Sequence, residues 1–127
     1  MNKNIVIDGR VINDESPVYI IAEMSANHLM NFDRAKDIIY RLKDTGTDAV
    51  KLQTYTADTI TIDSDRPEFQ IHGGLWDGDN LYSLYKKAYT PWEWQEELMK
   101  YANSLGMQCF SSPFDHSAVD FMEKIRL

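Results

Sequence analysis

The sequence predicts an α/β protein in which parallel strands alternate with helices. Three apolar runs each end in polar, reaction-capable residues: Val18-Tyr-Ile-Ile-Ala22 before Glu23, Ala49-Val50 before Lys51-Leu-Gln-Thr54, and Cys109-Phe110 before Ser111-Ser112-Pro-Phe-Asp115. Stretches of helical periodicity separate the runs. The grammar of helix stripe, glycine, strand and polar end also repeats, from Gly46 to Lys51 and from Gly106 to Ser111. Parallel strands joined by helices gather their carboxyl ends on one edge, where α/β proteins bind substrates. A carboxylate, an ammonium and hydroxyls at buried strand ends are costly unless they meet a partner or a ligand. Such a right-handed array either closes into an eight-stranded barrel or stays an open sheet. Three strands alone leave an unpaired edge and half a core, so the chain reads as a piece of something longer.

Taken in order, Ile5 and Ile7 alternate with polar positions, Asp8-Gly9 supplies a tight turn, and Val11-Ile12 begins the return of a hairpin at about residues 4–13. The first long strand is expected at residues 18–22. Asn31 is placed to cap a helix with the stripe Phe32, Ala35, Ile38, Ile39 and Leu42, which Gly46 ends. A second strand follows at residues 48–53. Residues 55–89 give a weaker signal: Ser64-Asp-Arg-Pro67 and Gly73-Gly-Leu-Trp-Asp-Gly78 mark loops, with a short helix over residues 81–88. Trp76 there reads equally as a lid or as a side chain pinning its loop to the body. Thr90, Pro91 and Glu93 read as a capping box for a helix with the stripe Trp94, Leu98, Tyr101, Ala102 and Leu105. A third strand is expected at residues 108–110. Ser117 with Asp120 reads as the box opening a last helix through Val119, Phe121, Met122 and Ile125, while Asp115 reads as a turn or cap residue.

Composition narrows the function. At 43% hydrophobic and 26% charged residues the 127-residue chain is globular and has the length of one domain. A net charge of −7 argues against a nucleic-acid partner, which needs clustered Lys and Arg, but leaves a small anionic substrate open. No apolar run reaches membrane-span length, so no membrane partner is expected, and the first residues lack a signal peptide's apolar core. The single cysteine, Cys109, reads as a small core residue, with a reactive thiol as the lesser alternative. The cytoplasm is the expected compartment.

Glu23 can act as general base, general acid or partner of a cationic intermediate, or form a salt bridge to Lys51; the two roles are compatible. Lys51 can clamp a phosphate or carboxylate, or form a Schiff base. Gln53 points to the side of Lys51 and offers a donor and an acceptor to an amide or sugar hydroxyl. Ser111 and Ser112 bind a phosphoryl group or cap the next turn. Asn27 sits at the site edge, and His28 beside it is either functional or a satisfied loop residue. His28, His72 and His116 have no metal spacing, so no metal ligand is assigned in this chain.

Together Tyr19-Ile-Ile-Ala-Glu-Met-Ser-Ala-Asn-His28, Thr47-Asp-Ala-Val-Lys-Leu-Gln-Thr54 and Phe110-Ser-Ser-Pro-Phe-Asp115 resemble the sialic acid synthase family, which condenses phosphoenolpyruvate with an amino-sugar aldehyde. Gly73-Gly-Leu-Trp-Asp-Gly78, Tyr82-Ser-Leu-Tyr85 and Ala88-Tyr-Thr-Pro-Trp-Glu-Trp94 are most similar to its pseudaminic branch. The resemblance implies an α/β fold of the (β/α)8 TIM-barrel kind with an N-terminal β-hairpin closing its floor. Residues 1–127 would supply the hairpin and about three β-α units, and the rest of the barrel and a C-terminal antifreeze-like domain would lie outside the chain. It further implies a homodimer and a divalent ion, Mn²⁺ or Mg²⁺, whose ligands lie on later strands. Glu23 and Lys51 would be catalytic, Glu23 at the water or the oxocarbenium charge and Lys51 on phosphoenolpyruvate. Gln53 would contact the sugar's acylamino group, and Asn27, Ser111 and Ser112 would complete the substrate contacts.

Overall fold

The computed structural model describes residues 4–125. β1 (Ile5–Ile7) and β2 (Arg10–Ile12) pair antiparallel as the expected hairpin. Asp8 and Gly9 both take left-handed backbone, φ 46° and 76°, as a two-residue turn with primed geometry requires. A parallel sheet follows in the order β3 (Ile21–Glu23), β4 (Ala49–Thr54), β5 (Gln108–Pro113), with β4 central. The helices are α1 (Phe32–Leu42), α2 (Ala57–Ile60), α3 (Leu81–Ala88), α4 (Trp92–Ser104) and α5 (His116–Lys124). Among the described residues the parallel sheet holds these three strands and does not close. No helix described is long and apolar enough to cross a membrane.

Side chains alternate across the sheet, and one face carries the core. Val50 and Leu52 of β4 are fully buried against Met24, Ala35 and Ile39 on one side and Leu98, Ala102 and Met107 on the other. Burying a Leu or Ile side chain in this way contributes about 1.5–3 kcal/mol. The opposite face is open: Ile21 is 46% and Phe110 38% exposed.

Local signals place most ends. The Asn31 side chain accepts the Arg34 N–H at 2.8 Å to start α1, and Gly46 at φ 82° turns the chain into β4. Other boundaries depart from expectation. The paired part of the first strand is Ile21–Glu23, so Glu23 lies within the ladder, whereas Val18 is 79% exposed. The third strand runs on to Pro113 and takes both serines with it. Thr90 does not cap α4. Its buried hydroxyl is spent on His28, and the helix begins after Pro91 with no side-chain cap. The Ser117–Asp120 box does not form either: the Asp115 carboxylate accepts from the Ser117 and Ala118 N–H groups and opens α5 at His116. The long connection is ordered by a bridge between Gln70 and Asn80 and a tight turn at Gly74–Trp76, in which Trp76 is half-buried.

The hairpin is fixed to the amino-terminal end of the sheet. Arg10 forms an ion pair with Asp48 and donates to the carbonyls of Pro17 and Val18 at 3.3 and 3.2 Å. Asp48 also accepts the Ile20 N–H at 2.7 Å, and Gln108 donates to Asp8 at 2.7 Å. The Ile20 bond first, and Arg10 with it, hold the Asp48 carboxyl below its ordinary range.

Candidate active site

The register of the parallel strands sets what meets at their carboxyl ends. Glu23 lies opposite Lys51, and Gln53 opposite Ser112. Opposed residues of parallel strands project to the same face. Glu23, Lys51, Gln53 and Ser112 therefore share the open face, with Phe110 beside Lys51. Glu23 Oε1 and Lys51 Nζ form an ion pair with side chains 53% and 27% exposed, so both charges remain within reach of a ligand. Contact with a carboxylate suits an ammonium better than the free amine that a Schiff base needs.

Ser111 is not part of this group. One residue out of phase with Ser112, it faces the helices, and its Oγ lies 2.6 Å from Thr54 Oγ1. The Thr54 hydroxyl donates to Gln95 Oε1 at 2.7 Å, and Gln95 Nε2 donates to the Gln53 carbonyl at 3.3 Å. Gln95 is wholly buried in α4, with both ends of its amide satisfied. Its signal was present in the sequence as a polar residue on the inward side of the Leu98 and Ala102 stripe.

Residues 24–31 form the loop beyond β3. Asn27 is exposed, and its side-chain amide donates back to the Met24 carbonyl at 3.0 Å. Three non-glycine residues in the loop take left-handed backbone: Ser25 at φ 48°, Leu29 at 49° and Met30 at 54°. Such conformations cost about 1–3 kcal/mol each and persist only where surrounding contacts enforce them. His28 supplies those contacts. It is fully buried, Nδ1 accepts the Met30 N–H at 3.1 Å, and Nε2 lies 3.2 Å from Thr90 Oγ1. An accepting Nδ1 places the proton of the neutral ring on Nε2, which donates to Thr90. Desolvation pushes the pKa of His28 down and keeps the ring neutral. Of the two readings of His28, the satisfied loop residue is the one observed.

Burial pushes the Cys109 thiol up to about 12, which makes it a core residue and not a nucleophile. Among the described residues no three His, Cys, Asp or Glu side chains come together to hold a metal ion, and both nitrogens of His28 are engaged. The described residues thus supply no ligand set for a divalent ion, whose ligands the resemblance places on later strands outside this chain.

A parallel sheet with helices packed on one face and a charged pair at adjacent strand ends defines the class: an α/β domain of parallel β-α units. The chain belongs to the NeuB family, whose model matches residues 38–127. It is 46% identical over 112 residues to the pseudaminic acid synthase of Campylobacter jejuni, covering 88% of this chain and 33% of that protein. It is also 46% identical to the pseudaminic acid synthase of Helicobacter pylori, covering 86% and 32%. Identity to the N,N'-diacetyllegionaminic acid synthase of Legionella pneumophila is 34%, covering 82% and 29%. The chain thus spans about a third of the length of these relatives. The solved N-acetylneuraminic acid synthetase of Leptospira borgpetersenii superposes with a TM-score of 0.77 over 98% of this chain and 39% of that one, at 22% identity. The family read from the strand-end segments is the family found.

Proposed function

We propose that this chain is the amino-terminal part of a phosphoenolpyruvate-dependent nonulosonic acid synthase, and within that class of a pseudaminic acid synthase. The carrying observation is the Glu23–Lys51 pair with Gln53 and Ser112 on the same open face, in a chain 46% identical to two pseudaminic acid synthases. In the reaction, C3 of phosphoenolpyruvate attacks the carbonyl carbon of an open-chain diacetamido trideoxy sugar. Water adds at C2, and phosphate leaves as the C–O bond of the tetrahedral intermediate breaks. Lys51 holds the phosphoenolpyruvate anion as a point charge. Glu23, released from Lys51 as the anion arrives, takes the proton of the attacking water or faces the oxocarbenium charge at C2. Gln53 bonds the sugar's acylamino group, and Ser112 and Asn27 line the same edge. Ser111, facing the helices, is left out of this set and acts through Thr54.

The fold proposed for the whole protein is a (β/α)8 barrel of which β3, β4 and β5 are the first strands and the hairpin the floor. The exposed Ile21 and Phe110 on the sheet's open face support this, since that face would line the barrel interior. A divalent ion bound by residues of later strands, a homodimer and a cytoplasmic location complete the reading. The 127-residue polypeptide alone is expected to be inactive.

The test is a phosphate-release assay of the complete protein with phosphoenolpyruvate and each candidate sugar. Turnover of the diacetamido trideoxyhexose is expected. Turnover of N-acetylmannosamine alone would move the protein to a sister synthase. Borohydride reduction with substrate bound is expected to leave Lys51 unmodified; an adduct there would make the protein a Schiff-base aldolase.

A further inference from the structure

The start of α4 is tied to both strand ends that carry the charged pair. Thr90, just before the helix, is 2% exposed and meets His28 of the loop beyond Glu23. Trp92 donates through Nε1 to the Tyr55 carbonyl at 3.1 Å, one residue past the end of β4. Gln95, one turn on, holds the Gln53 carbonyl and the Thr54 hydroxyl. Trp94 packs edge-on against His28, ring centroids 5.7 Å apart, and against Phe32 of α1 at 5.4 Å. None of Thr90, Trp92, Trp94 and Gln95 lies on the open face, so none is placed to touch a substrate there. The side-chain hydrogen bonds of Thr90, Trp92 and Gln95 run to backbone or side chains of the two site-bearing segments.

We propose that Thr90 and Gln95 are positioning residues: Thr90 fixes the loop after Glu23 by way of His28, and Gln95 fixes Gln53 at the end of β4, so one helix start sets the geometry of both halves of the site. The physical case is strongest on the His28 side. The loop's own turns, Asn27 N–H to Met24, Leu29 N–H to Ala26 and Asn31 N–H to His28, bond it only to itself, and the imidazole bridging Met30 to Thr90 ties its three left-handed residues to the start of α4. On the Gln95 side, an amide with both ends satisfied in a dry core tolerates little movement of the carbonyl it holds. Site geometry is held best when the groups that touch substrate are themselves locked by such a supporting layer.

The catalytic consequence rests on the proposed function; the structural consequence does not, and the experiment separates them. In the complete protein, Thr90→Val removes the hydroxyl while keeping the shape, Thr90→Ser keeps the hydroxyl, and His28→Asn keeps an acceptor for Met30 but severs the link to Thr90. The first readout is acetylation of Lys51 by acetic anhydride, followed by peptide mass spectrometry with the exposed Lys100 as internal standard. Lys51 labelling relative to Lys100 is expected to rise several-fold in Thr90→Val and His28→Asn. It should stay at the wild-type level in Thr90→Ser and go no higher in the double variant than in either single, as one shared link requires. Unchanged Lys51 labelling in a folded Thr90→Val protein, or additive effects in the double variant, would overturn the proposal. The second readout is turnover: kcat is expected to fall about tenfold in Thr90→Val with the KM for phosphoenolpyruvate within twofold, and Thr90→Ser to restore it. A lowered melting temperature with unchanged kcat and labelling would reduce Thr90 to a stability role. Wild-type protein that turns over no sugar would refute the proposed function, while the labelling result would still decide the positioning role.

Discussion

The two ends of the parallel sheet each carry an ion pair, and the pairs are built differently. At the amino-terminal end Arg10 and Asp48 are held by further bonds to Pro17, Val18 and Ile20, and the guanidinium lies 5.1 Å from the centre of the Tyr19 ring. At the carboxyl end the Glu23 and Lys51 side chains make no other hydrogen bond among the described residues, and more than half of the Glu23 side chain is exposed. The first pair uses up its donors and acceptors on the protein and closes the hairpin onto the strands. The second leaves hydrogen-bonding capacity open to solvent, which on the proposed function lets the pair part for a ligand. The number of additional partners separates the two pairs: on the proposed function the first serves the fold and the second the chemistry.

The sharpest way to break this comparison is to remove one charge from each end. Lys51→Ala in the complete protein is expected to cost about 100-fold in kcat/KM, the usual scale for losing a charge that holds an anion. The KM for phosphoenolpyruvate should rise more than that for the sugar. Stability should change by less than about 1 kcal/mol, because the pair is partly exposed. Asp48→Ala is expected to reverse the pattern, lowering stability by about 1–3 kcal/mol in chemical denaturation with turnover per folded molecule preserved. If Lys51→Ala chiefly destabilises, or Asp48→Ala chiefly inactivates, the assignment of the two ends is wrong.

Acid should separate the ends by a smaller effect. His28, which holds the loop at the carboxyl end, has its pKa lowered from 6.5 by desolvation alone. Folding therefore favours the neutral ring: its contribution is complete above about pH 6.5 and is lost as pH falls toward the folded value. Asp48, at the floor, is lowered from 3.8, chiefly by the Ile20 bond. Its contribution is complete above 3.8 and is lost only as pH falls through its depressed folded value. Two amides report this directly: the Met30 N–H bonds His28, and the Ile20 N–H bonds Asp48. Hydrogen exchange, corrected for intrinsic rate, should show Met30 losing protection below pH 6.5 while Ile20 stays protected to pH 4. Loss of both in one pH range would mean that the ends open together.

What the sequence disclosed was mostly local. Asn31 as a cap, the Asp8-Gly9 turn and the 81–88 helix depend on neighbours a few residues away, and all are observed. The residues at the three strand ends were legible because polar groups there break the apolar rule. Misreadings arose where a distant partner outbid a local one. Thr90 has the sequence of a cap, but His28, 62 residues away in the chain, takes its hydroxyl. Ser111 and Ser112 look equivalent in sequence, and only the register with β4 sends one to the helices and the other to the open face. Arg10 with Asp48, 38 residues apart, left no periodic trace at all.

The middle of the sheet carries the last comparison, a thiol placed between the two ends. Cys109 lies in β5 opposite the fully buried Val50, between the floor and the charged edge. Its thiol is pushed up to about 12 by burial. At pH 8 very little thiolate is then present, against roughly a quarter for an exposed cysteine of ordinary pKa. A disulfide reagent at pH 8 should thus react with folded protein at least about tenfold more slowly than with protein unfolded in denaturant. The measurement is the rate of thiolate release with and without denaturant. Stoichiometric reaction of folded protein within minutes would show that the partly exposed thiol ionises readily in spite of its surroundings.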